Sequence, residues 1–181
     1  MSQRESGYER KERDLYETPE WVSEVGCFFL GPTGDGAVWE PACGSGKMQA
    51  VIQKYYDVYG SDIALGTDFL VEHALPWADV RRIMTNPPYE LATEFCEHAL
   101  RLTEAVGGRV LMLLRTDFDH AKSRSHLFRD CPAFAKKVVL MKRIAWFVEA
   151  NGKPKASPSF NHAWYIWDWT HEGPPTIGYG P

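Results

Sequence analysis

Arg82-Ile83-Met84-Thr85-Asn86-Pro87-Pro88-Tyr89 decides how this chain is read. A short apolar run leads into two consecutive prolines. Proline lacks an N–H and has a fixed φ, so it cannot continue a strand ladder. Residues 86–89 are therefore expected to form a rigid turn at the carboxyl end of a strand, the edge where open α/β sheets bind ligands. The amide oxygen of Asn86 and the carbonyl of Pro87 can accept both hydrogens of a planar NH2 group. The Tyr89 ring can stack on the flat group carrying that nitrogen. Taken alone, the tetrapeptide reads equally well as a turn with an aromatic after it.

Upstream, Ala37-Val38-Trp39-Glu40 has the pattern of a short buried parallel strand. It runs into Pro41-Ala42-Cys43-Gly44-Ser45-Gly46, and residues 47–54 read as a helix. Glycines let a backbone approach a ligand, and a helix start offers free N–H groups. A dinucleotide fingerprint would need a third small residue where Gln49 stands. A phosphate-binding P-loop would need Gly at Pro41 and Ser or Thr at Met48. What remains is a glycine turn behind an acid, Glu40, which repels phosphate and attracts an ammonium group.

Residues 57–63 read as the next strand, ending on Asp62. An acid roughly 20 residues beyond such a turn commonly grips the hydroxyls of a ribose. Asp68 is placed to accept from an exocyclic amine, and Phe69 to pack on an adenine face. Singly, Asp62 and Asp68 are ordinary loop acids. Together, Glu40, Asp62, Asp68 and Asn86 all follow short apolar segments at one edge of one sheet. That set suits a cation-bearing adenosine cofactor with an amine acceptor beside it.

The 181 residues, 44% of them hydrophobic, suit one domain. Residues 1–14 alternate charges and are expected to form a mobile arm, 15–172 the folded domain, and 173–181 an irregular, Gly- and Pro-rich tail. Thr18 reads as a helix N-cap with Pro19 at the first helical position. That helix would bury Trp21, Val22, Val25, Phe28 and Phe29. Leu91, Phe95, Ala99 and Leu102 mark one face of another helix. Strands are expected at 109–114, 138–141 and 163–167, the last two as an antiparallel pair, with a hairpin-like insertion around 151–155. The fold class that follows is α/β, a mostly parallel twisted sheet with an antiparallel C-terminal strand.

Net charge is −4 but uneven: residues 1–108 sum to −9 and residues 109–155 to +7. The basic stretch suits a polyanion, or simply a solvated face. No apolar run is long enough to cross a bilayer, and the charged N-terminus is not a secretory signal. Cys27, Cys43, Cys96 and Cys131 are scattered, which argues against disulfides or zinc and fits a reducing cytoplasm. No histidine is assigned a metal.

Glu40-Pro41-Ala42-Cys43-Gly44-Ser45-Gly46, Asp62-Ile63, Asp68-Phe69 and Asn86-Pro87-Pro88-Tyr89 resemble, in order, the motifs of class I S-adenosylmethionine-dependent methyltransferases. The NPPY form resembles the DNA adenine-N6 branch of bacterial and phage kind, and Tyr16-Glu17-Thr18-Pro19 resembles its N-terminal cofactor-contacting segment. The likeness spans about residues 15–167 and implies a Rossmann-like fold in one domain.

It implies S-adenosylmethionine as cofactor, with Thr18, Glu40, Ala42, Gly44 and Gly46 around the methionine end and Tyr16, Pro19 and Pro41 also in the cofactor-binding set. Asp62 would hold the ribose, with Ile63, Asp68 and Phe69 around the adenine. Asn86, Pro87, Pro88 and Tyr89 would be the catalytic turn. The family's recognition domain would shrink here to residues 115–160, with Arg115, Lys122, Arg124, Arg143, Lys153 and Lys155 on phosphates. Trp146 and Phe147 would be either stacking groups or core. The implied partner is nucleic acid, DNA ahead of RNA, with a homodimer or partner protein left open. RNA adenine and a protein glutamine amide are the other acceptors, the latter disfavoured by the short N-terminal segment.

Overall fold

The computed structural model describes residues 16–147 and 160–181. The expected N-terminal arm and the 151–155 insertion, with Lys153 and Lys155, lie outside the described residues. Seven strands form one sheet: β1 (Ala37–Glu40), β2 (Val58–Gly60), β3 (Val80–Thr85), β4 (Arg109–Arg115), β5 (Phe134–Leu140), β6 (His162–Asp168) and β7 (Thr176–Gly180). Their spatial order is β2-β1-β3-β4-β6-β5-β7. All neighbouring pairs are parallel except those of β6, which runs antiparallel to both β4 and β5.

The sheet is covered on both faces, as its apolar strands require. In β4, Val110, Met112 and Leu114 face one core with Phe95, Ala99 and Leu102 of α3 (Ala92–Glu104). Leu111 and Leu113 face the other, with α1 (Glu20–Phe29) and α2 (Lys47–Ile52). All seven residues of β6 are buried, so its alternating Trp164 and Tyr165 pack into opposite cores. Gly26 lets α1 lie close on the sheet: a Cβ there would sit 2.2 Å from the Met84 methyl. Among the described residues no helix is long and apolar enough to cross a membrane.

Three expectations are corrected. Pro19, not Thr18, occupies the N-cap, and no side chain caps α1; the Pro19 carbonyl accepts from Val22 N–H at 3.0 Å instead. Phe28 is 80% exposed, because the face of α1 against the sheet is Val22, Ser23, Val25, Gly26 and Cys27. The tail is not irregular: residues 176–180 add β7 alongside β5. Its glycines mislead the eye, since Gly178 and Gly180 lie on the packed side. A Cβ at Gly180 would come within 3.1 Å of Val25 and 3.2 Å of Leu140, while Ile177 and Tyr179 point outward.

Candidate active site

After β1 the chain crosses through α2 to β2 on one side, then returns to β3 on the other. The carboxyl ends of β1 and β3 therefore flank the point where strand order reverses, and a crevice opens there. A cleft of about 470 Å³ occupies it. It is lined by Tyr16, Thr18, Glu40, Pro41, Ala42, Gly44, Asp62, Ile63, Asp68, Phe69 and all of Asn86 to Tyr89. Of the expected cofactor set only Pro19 and Gly46 stand off it.

The two stand-off residues shape the backbone. Gly46 sits at the N-cap of α2 with φ +83°, a left-handed conformation that suits glycine alone without strain. Gly44, with φ +52°, donates its N–H to Asp62 Oδ2 at 2.9 Å. The other oxygen of Asp62 accepts from Ala64 N–H at 2.8 Å, at the start of a single 3₁₀ turn. Asp68 heads a second such turn, accepting from Leu70 N–H at 3.0 Å. Between Asp62 and Asp68 the chain makes only the first of these turns, Ile63–Leu65. Ile63 is exposed on the lip, while Phe69 is buried edge-on against Trp39 at 5.0 Å and tilted against Phe95 at 4.9 Å.

Glu40 is 2% exposed, and its Oε2 has no hydrogen-bond partner. Burial pushes its carboxyl up to about 8, opposed by a hydrogen bond from the Gln49 backbone and reinforced by the charge of Asp62. A nearby cation would reverse that shift. Cys43, also in the lining, is pushed up to about 11, first by burial and then by Glu40 and Asp62, so its thiol stays protonated.

On the β3 side, Asn86 Nδ2 donates to the Tyr16 carbonyl at 3.0 Å. A carbonyl only accepts, so the amide nitrogen must face it and Oδ1 is left as the free end of the amide. Asn86 Oδ1 is buried without a partner. Among the described residues six buried side-chain polar atoms lack partners, and the two carried by cleft-lining residues are Glu40 Oε2 and Asn86 Oδ1. Buried polar atoms without partners are costly and call for an explanation. Tyr89 Oη lies 3.1 Å from His162 Nε2. Its ring neighbours are Tyr16 at 6.1 Å, Trp146 at 6.5 Å and His162 at 6.0 Å.

The basic side chains are less concentrated. Arg115 pairs with Asp117 at 2.8 Å and lies 4.0 Å over the Phe160 ring. Arg124 donates to the Phe118 carbonyl at 2.6 Å and covers its ring. Arg143 donates to Asn161 Oδ1 at 2.9 Å, and Lys122 is exposed. Trp146 is half-buried beside Tyr16, Tyr89 and His162, and Phe147 packs on Tyr16 at 5.6 Å. Sequence reasoning missed Glu17, whose carboxylate accepts from Ser45 Oγ at 2.6 Å and from Lys47 Nζ. These bonds hold its carboxyl below the ordinary range and fasten the 16–18 segment over the glycine turn.

No protein-family model and no curated protein matches the sequence. Solved structures do match in shape. A Listeria monocytogenes protein assigned to the class I S-adenosylmethionine-dependent methyltransferases superposes with TM-score 0.61 at 15% identity, covering 90% of this chain and 65% of that one. The fold is the class I methyltransferase fold. The methyltransferase subunit of a Streptococcus thermophilus type I restriction-modification system gives TM-score 0.64 at 13% identity, covering 85% of this chain and 45% of that one. The 23S rRNA methyltransferase ErmE gives 0.56 at 14%, covering 87% and 70%. The chain thus spans less than two thirds of the length of the first two. Within this methyltransferase fold, the described chain ends on β7 beyond the antiparallel strand.

Proposed function

We propose that this chain transfers a methyl group from S-adenosylmethionine to the exocyclic N6 amine of adenine in DNA. The observation that carries the reading is the pairing, around one cleft, of two partnerless acceptor atoms: Glu40 Oε2 at the end of β1 and Asn86 Oδ1 after β3. One is chemically suited to a cation, the other to an N–H donor. Their elements lie side by side in the sheet.

The residues fit the cofactor. Glu40 would face its positive end, Asp62 the ribose hydroxyls, and Asp68, Ile63 and Phe69 its adenine amine and ring. Thr18, Tyr16 and the turn from Pro41 to Gly44 would close over the methionine portion. Bound there, the cofactor supplies a methyl group activated by a positive sulfur. Asn86 Oδ1 and the Pro87 carbonyl accept the two hydrogens of the target amine, draw them out of the ring plane and localise the nitrogen lone pair. Tyr89 stacks on the extruded base. Positioning and electrostatic preorganisation then do most of the work, and no strong base is needed.

Three features favour nucleic acid: the basic excess of residues 109–155, Lys122 on the surface, and Trp146 beside Tyr89. The matching structures include a restriction-modification methyltransferase subunit and an rRNA methyltransferase, which points the same way. The test is incubation with labelled methyl donor and duplex DNA, single-stranded DNA, RNA or a glutamine peptide. Label in DNA supports the reading. Label in RNA or peptide moves the acceptor, and cofactor binding without transfer to any of them overturns it.

A further inference from the structure

Behind the NPPY turn, at the first residue of β6, His162 is 97% withdrawn from solvent: its exposure is 3%. It does not line the cleft, whereas Tyr89 does. The two rings are stacked, centroids 6.0 Å apart and planes 29° from parallel, and Tyr89 Oη shares a 3.1 Å hydrogen bond with His162 Nε2. Trp146 closes the cluster edge-on against His162 at 5.2 Å. The Phe160 backbone also hydrogen-bonds the imidazole, while Nδ1 has no partner of good geometry.

A buried histidine with a poorly satisfied nitrogen is an expensive way to fill a core position at the start of a strand that is apolar or aromatic from Ala163 to Trp167. A phenylalanine or leucine would fill the same volume without that cost. What those residues lack is a polar atom that meets the Tyr89 hydroxyl. A tyrosine on a turn can rotate about its side-chain bonds, and a stacking platform works only if its plane is fixed before the base arrives. Burial and the charge of neighbouring Arg115 push His162 down to about 4, so the imidazole is neutral across the working pH range and presents no charge behind the platform.

We propose that His162 is a positioning residue that locks the plane of the Tyr89 ring, so that the extruded base meets a preformed stacking face. This rests on the proposed base-methylating function and adds to it a residue outside the motif, 73 positions further along the chain. His162 touches neither cofactor nor base in this account; it acts through Tyr89.

The test is steady-state kinetics on wild type, His162→Phe, His162→Gln, Tyr89→Phe and the Tyr89→Phe/His162→Phe double variant, with cofactor affinity measured by calorimetry. His162→Phe keeps a ring and loses the hydrogen bond; His162→Gln restores a polar atom near Nε2. Expected are a fall of about tenfold in kcat/KM for DNA in His162→Phe and recovery to within about threefold in His162→Gln. Cofactor affinity should be unchanged, and the double variant no worse than the weaker single one. Wild-type kcat/KM in His162→Phe, multiplying effects in the double variant, or loss of cofactor binding alongside activity would each overturn the role. Failure of the wild-type protein to methylate any nucleic acid is a different result, and it would remove the underlying reading as well.

Discussion

Asp62, at the donor half of the cleft, is fixed by backbone N–H groups 2 and 18 residues away, whereas Asn86 and Tyr89 at the acceptor half are fixed by partners 70 and 73 residues away. The donor half is a local device. Glycine turns and short 3₁₀ turns aim carboxylates with backbone hydrogen bonds, so a short motif carries its own geometry. The acceptor half is a tertiary device. The NPPY turn supplies the groups, but Tyr16 from the N-terminal segment turns the Asn86 amide, and His162 at the start of β6 and Trp146 from the connection after β5 pack around Tyr89. Substitutions in the donor half should therefore read out in cofactor affinity, and those in the acceptor half in turnover.

The sharpest break in that comparison is Asn86→Ala. It should lower kcat by about 10²–10³-fold, since it removes one of the two acceptors proposed for the reacting amine. Cofactor affinity, measured by calorimetry, should stay within about threefold. Loss of both together would mean that the bond to Tyr16 makes Asn86 a structural pin joining the two halves. Next in size is Asp62→Ala. It removes the proposed ribose contact and orphans the Gly44 and Ala64 N–H groups, so cofactor affinity should weaken by about 30-fold. At saturating cofactor kcat should be nearly unchanged; an unaltered affinity would take Asp62 out of the site.

The pH dependence of cofactor binding sharpens the same division. Burial raises the Glu40 carboxyl to about 8 in the free protein, so below that pH the group carries a proton that a bound cation must expel. Affinity should rise by up to about tenfold per pH unit between pH 6 and pH 8, with about one proton released per cofactor bound at pH 7. For the free protein the sign is the reverse. A carboxyl raised from its ordinary 4.5 holds its proton when folded and loses it when unfolded, so stability from this group falls as pH climbs from about 4.5 to about 8. Calorimetry in buffers of different ionisation enthalpy measures the proton release, and Glu40→Gln should abolish it. The smallest effect is expected of Lys122→Ala: a few-fold weaker DNA binding and a salt slope shallower by about one, with no change in cofactor affinity.

What could be seen in the sequence follows the same split between local and distant. Strand β1, the glycine turn, Asp62, Asp68 and the NPPY turn each announce themselves within a few residues, because their conformation is set by Gly, Pro and an acid heading a turn. So does the antiparallel β5–β6 pair, from the absence of a helical pattern between two apolar runs. β7 was hidden because its inner face is glycine, chosen for the close approach of Val25 and Leu140, and glycine otherwise signals a loop. The exposure of Phe28 could not be read from periodicity, since which side of α1 meets the sheet depends on Gly26 fitting against Met84 and Trp164. Glu17 lies in the Tyr16-Glu17-Thr18-Pro19 segment, but its bond to Lys47, like that of His162 to Tyr89, has no sequence signature. Their partners, Lys47 and Tyr89, lie 30 and 73 residues off, and only the folded sheet brings them together.

The central claim is that a sulfonium donor and a flat amine meet in one cleft, so the most direct measurement identifies the atom that receives the methyl group. DNA reacted with isotopically labelled S-adenosylmethionine is digested to nucleosides and analysed by mass spectrometry. Labelled N6-methyldeoxyadenosine is expected from the wild-type protein and at most a trace from Asn86→Ala. Label on a ring carbon, or equal label with and without the Asn86 side chain, would contradict the claim.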